Sequence, residues 1–67
     1  MNDTYAEKLV RDVNVKRAKE LHEIAQSLGD PSLYEKAAAH YEAAGLDVQA
    51  LKCRIAANIC RKEDAKP

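Results

Sequence analysis

Sixty-seven residues make one domain at most, and a core of this size is marginal because a small domain buries a smaller share of its surface. The 46% apolar fraction is inflated by twelve alanines; Leu, Ile and Val number only thirteen, and Phe and Trp are absent. Eleven bases balance eleven acids, so the usual cationic footprint of a nucleic-acid binder is missing, and no run approaches the ~18–20 apolar residues of a membrane span.

The first helix opens on Thr4 and Glu7, three apart, the spacing of a capping box, with Asp3 a competing cap. The pattern predicts a helix over about 4–28, stopped by Gly29, because glycine enters the left-handed region without steric cost. Val10, Val13, Ala18, Leu21, Ile24, Ala25 and Leu28 form its expected core stripe at three-four spacing. Val13-Asn14-Val15 is its weak point, since two β-branched residues around an asparagine favour a kink or a late start near Asp12.

Asp30-Pro31-Ser32 restarts the chain, with Pro31 suited to a first helical turn and Ser32 with Glu35 spaced as a second capping box. The second helix is expected over 32–44 and is built mostly of small residues, Ala37, Ala38, Ala39, Ala43 and Ala44. Such residues let helix backbones approach closely. Tyr34 and Tyr41, seven apart, share one face and supply much of its apolar area. Gly45 ends this helix.

Asp47 is the expected cap of a third helix over 47–62, followed by a frayed polar tail over 63–67. Val48, Leu51, Ile55 and Ile59 fall on one of its faces, and Ala50, Cys53, Ala57 and Cys60 on another, centred about 180° away. Arg54 and Arg61 stand in the polar wedge between them. A helix apolar on two sides needs two neighbours, or one neighbour and a partner molecule. Short connections make the three helices antiparallel, an all-α three-helix bundle forming one domain.

Ala18-x-x-Leu21-His22-x-x-Ala25 is echoed thirty-two residues later by Ala50-x-x-Cys53-Arg54-x-x-Ala57. Tyr34, Ala37, Ala38, Tyr41, Gly45, Ala50 and Ala57 follow in the order and spacing of a helix-turn-helix repeat. On these residues the segment 31–64 resembles a single tetratricopeptide repeat, a TPR-like hairpin, preceded by a half-repeat helix. Arg54 stands where that family carries an aromatic residue, and Lys62 where its closing proline falls. The resemblance implies that the first helix packs on the second as a preceding repeat would. It also implies that the Val48, Leu51, Ile55 and Ile59 face points to the place of a following repeat.

Candidate chemistry is sparse. His22, His40, Cys53 and Cys60 lack metal-ligand spacing, so no cofactor is expected. His22 reads as a rim residue beside Leu21, and His40 as solvent-facing. Cys53 and Cys60, about 10 Å apart along a helix, are too distant for an intrachain disulfide and read as reduced core thiols, with an intermolecular pair the alternative. Ser27 and Ser32 sit near helix ends, and three-apart Glu20 and Glu23 are ordinary for a surface helix; no enzyme is expected.

The charge runs basic, acidic, basic. Arg11, Lys16, Arg17 and Lys19 on the first helix, with Lys62 on the third, are the candidate nucleic-acid contacts, on the expectation that packing joins them near Arg54 and Arg61. The favoured expectation is a small cytoplasmic protein-interaction module, homodimeric, that binds or regulates a larger protein and does not engage membranes. Its interface would be Val48, Leu51, Ile55 and Ile59, with Arg54 and Arg61 setting polarity at the rim. The initial Met and the capped first helix are those expected of a complete small protein.

Overall fold

A computed structural model describes residues 4–64 of the chain, and among these every regular element is helical. Three helices follow one another: α1 over Tyr5–Leu28, α2 over Pro31–Ala43 and α3 over Asp47–Asp64. Asn14 and His22 of α1 meet His40 and Tyr34 of α2, so the two run antiparallel. Glu42 and Glu35 of α2 meet Arg54 and Arg61 of α3, which makes the second pair antiparallel as well. The fold is an all-α three-helix bundle.

The punctuation is local chemistry. Thr4 accepts from the Glu7 amide at 3.1 Å, and the Glu7 carboxylate accepts from the Thr4 amide at 3.3 Å, completing the expected capping box. Gly29 takes φ +64° at the end of α1, and Gly45 takes φ +79° after α2. At Gly45 the Leu46 amide donates to the Tyr41 carbonyl and the Gly45 amide to the Glu42 carbonyl, both at 2.9 Å, the paired bonds of a Schellman turn.

Four expectations change here. The second cap is Asp30, whose Oδ1 accepts from the Ser32 amide at 2.9 Å, because Pro31 already occupies the first helical position; Glu35 turns to Arg61 instead of back to Ser32. Asp47 lies inside α3, and the Leu46 carbonyl takes the first helical bond, from the Ala50 amide. α3 runs past Lys62 through Glu63 to Asp64, since neither acid breaks a helix; the rest of the expected frayed tail, 65–67, lies outside the described residues, as does Asp3. α1 shows no late start at Asp12. Its interior carries Asn14, whose side-chain amide donates to the Val10 carbonyl at 3.1 Å, satisfying the group that would otherwise compete with the helix.

α2 is the centre. Tyr34, Ala37, Ala38 and Tyr41 are buried on an arc of about 100°, and α1 and α3 both pack against it while scarcely approaching each other. The cross-section is therefore open, and the Cα envelope measures 52 × 19 × 11 Å. The core consists of Ala18 and Ala25 from α1, the α2 arc, and Ala50, Cys53 and Ala57 from α3. Cys53 is its largest fully buried side chain.

The expected α1 stripe splits. Ala18 and Ala25 are buried and Leu21 is half-buried, but Val10, Val13, Ile24 and Leu28 are exposed, on a line about 80° around the helix. Length is one reason. At 1.5 Å per residue α1 spans about 36 Å and α2 only about 20 Å, so the start of α1 runs beyond what α2 can cover.

Candidate interaction surface

α3 meets α2 through its small side chains. Ala50 and Ala57 are 1% exposed and Cys53 is fully buried, with Ala56 and Cys60 half-buried at the margin. Small residues at 50, 53 and 57 let the α3 backbone settle against Ala38 and the tyrosine faces. Burial pushes the Cys53 thiol up from its ordinary pKa, away from the thiolate that a nucleophile needs.

On the opposite side of the helix stand Val48, Leu51, Ile55 and Ile59, exposed by 66, 57, 50 and 52%. All four predicted interface aliphatics thus share one accessible line, facing away from α2. It runs nearly the length of α3, and among the described residues no element lies across it. Asp47 lies at one end of its flank and Lys62 at the other, with Asn58 between.

Arg54 and Arg61 are placed elsewhere. Arg54 forms a two-pronged pair with Glu42, its Nη1 donating to Oε2 at 2.9 Å and its Nη2 to Oε1. The Arg61 guanidinium donates through Nη2 alone to Glu35 Oε1, two helical turns further along the seam. These hydrogen bonds hold both glutamates below the usual carboxylate range and raise both arginines. The arginines follow the α2–α3 seam, roughly 115° around α3 from the aliphatic line, so they clamp the hairpin and do not rim the outer face.

The candidate nucleic-acid contacts are not gathered into one patch. Arg11, Lys16, Arg17 and Lys19 are exposed on α1, whereas Lys62 is on the outer flank of α3 with α2 between the two helices. Arg54 and Arg61, the expected bridge, are engaged with acids.

Two features differ from the sequence expectation. His22 is half-buried and lies edge-on to both tyrosines, with ring centroids 5.6 Å from Tyr34 and 6.5 Å from Tyr41, so it is a seam residue and not a rim one. His40 is also half-buried, its Nδ1 2.9 Å from Asn14 Oδ1, where solvent exposure was expected. The second feature is the exposed α1 line, beside which Ala6, Glu7, Val10, Arg11 and Ala43 enclose an open depression of about 410 Å³. Residue size was the available signal: small side chains mark the α1 contact, and the larger aliphatics stand off it.

Among the described residues no group of three or more His, Cys, Asp or Glu side chains is arranged to hold a metal ion. Among them, too, no helix is long and apolar enough to cross a membrane. Comparison with family models, with curated proteins and with solved structures finds no match.

Proposed function

We propose that the protein is a small interaction module that binds or regulates a larger protein through the outer face of α3. The observation that carries this reading is the line of four aliphatics, each at least half exposed, on a helix whose other face is fully used. A chain with thirteen Leu, Ile and Val residues places four of them where the described residues give them no cover. The role is one of binding, not catalysis.

The TPR-like reading supports the same conclusion. In it, α2 and α3 form one repeat and α1 stands in for the second helix of a preceding one. Ala18 and Ala25 flank α2 on one side as Ala50 and Ala57 do on the other, in keeping with the thirty-two-residue echo. The outer face of α3 is then the position of a next helix, which a partner would supply.

Ile55→Asp tests the proposal. With wild-type and variant chains as baits in the native host, the wild type retains a partner that the variant loses, although both have the same helical circular dichroism. Binding of that purified partner weakens at least about tenfold, as expected for a charge placed in an apolar contact. Equal retention of every copurifying protein by both baits would overturn the reading.

A further inference from the structure

We propose that the outer face of α3 pairs with the same face of a second copy, antiparallel, about a twofold axis through Ile55. The inference rests on the reading of this face as a docking surface and names its occupant in the isolated protein, a second copy that a larger partner would displace.

The pattern around Ile55 is palindromic. Leu51 lies four residues before it and Ile59 four residues after. A twofold axis at Ile55 sets Ile55 on its twin and Leu51 on Ile59 of the second copy. Val48 lies seven before and Lys62 seven after. The aliphatic stem of Lys62 then covers Val48 of the second copy, and its ammonium reaches the neighbouring Asp47. Each contact occurs twice, the mark of an isologous interface.

Charge selects the direction. Asp47, Asn58 and Lys62 share one flank of the aliphatic line, and an antiparallel twofold apposes each flank with its own copy. Asp47 therefore faces Lys62 at both ends. A parallel twofold would appose opposite flanks and leave Asp47 about 22 Å along the helix from Lys62 of the second copy, fifteen residues at 1.5 Å each. On the other flank Lys52 meets the side that carries Glu63 of the second copy. Arg54 and Arg61 are drawn to Glu42 and Glu35, so neither upsets this balance. Antiparallel α3 dipoles attract, and a net charge of zero adds no repulsion between copies. Because α2 packs on the opposite side of α3, no part of the chain's own hairpin obstructs the approach.

Sedimentation equilibrium of the purified full chain tests the pairing. The wild type is a dimer at tens of micromolar. Asp47→Lys and Lys62→Asp each weaken it by roughly tenfold, since each turns two exposed attractions into repulsions. The double variant D47K/K62D regains wild-type association. Cross-linking fixes the geometry independently. In a Cys60→Ser background, Ile55→Cys oxidises readily to a covalent dimer. Val48→Cys does not, because fourteen residues of helix, about 21 Å, separate it from its twin. A monomeric wild type, charge variants that associate like the wild type, an unrestored double variant, or cross-linking as ready at 48 as at 55 each overturns the proposal. A monomer that still loses a captured partner through Ile55→Asp sinks the homodimer alone and leaves the docking surface standing.

Discussion

The two faces of α3 are both apolar and differ in size. Ala50, Cys53 and Ala57 face inward; Val48, Leu51, Ile55 and Ile59 face outward. A hydrophobic core usually takes the larger set, since full burial of a Leu, Ile or Val side chain is worth about 1.5–3 kcal/mol. Here the inner face stabilises the fold by close approach of backbones, and the larger residues leave roughly half of their burial unrealised. What separates the faces is therefore their use. One is fitted to a fixed neighbour, and the other is the face we propose for docking.

Changing the volume of each face is the strongest way to break this comparison. Ala57→Leu inserts three carbons where 1% of the residue is exposed, and it should cost about 1–3 kcal/mol through overpacking. At about 4–8 °C per kcal/mol for a domain of this size, thermal melting falls by roughly 10 °C. Ile59→Ala, removing volume from the outer face at a dilution that keeps the chain monomeric, should stay within about 0.5 kcal/mol. Equal losses from the two variants, read by circular dichroism melts, would mean that the outer face belongs to the core.

The alkaline limb of stability sharpens the inner half of the comparison. Burial raises the pKa of Cys53 above its ordinary 9.0 and those of Tyr34 and Tyr41 above 10.0. The unfolded chain then releases these protons first. The contribution is fully present below the ordinary values and is lost as pH rises through the higher folded ones. Melting temperature should fall above about pH 9, and Cys53→Ala should move the onset toward 10. A melting temperature flat to pH 10.5 would show that these groups are not desolvated as the fold places them.

Much of this architecture was readable in the residues, because helix ends are local chemistry. Thr4 with Glu7, Gly29 and Gly45 mark boundaries by bonds within a turn of themselves. The two-faced α3 was equally readable, since both faces lie on one regular helix. The α1 stripe was misread because apolar periodicity counts Val10 and Leu28 alike with Ala18 and Ala25; it registers neither side-chain size nor, at Val10, how far a thirteen-residue neighbour reaches. Asn14 and His40 were misread for another reason. Each looks like a breaker or a surface residue until the other arrives, twenty-six positions away. The arginines show the same limit: Arg54 and Arg61 lie beside the aliphatic line in sequence, but Glu42 and Glu35 draw them to the seam.

Those seam pairs supply the smallest effect, and it separates clamp from interface. Hydrogen bonds from Arg61 and Arg54 lower the pKa of Glu35 and Glu42 beneath the ordinary 4.5. The unfolded chain therefore takes up these two protons more readily than the folded one. The stabilisation is present above about pH 4.5 and is lost as pH falls through the lower folded values. Both pairs are exposed, so the loss should be modest and should shrink in 1 M salt, where the screening length is about 3 Å. The double variant E35Q/E42Q should flatten the acid limb of the monomer's melting curve while leaving partner binding and dimerisation at pH 7 as in the wild type. Impaired association in a folded E35Q/E42Q chain would place the arginines at the interface rim after all, and the seam would then serve docking as well as the hairpin.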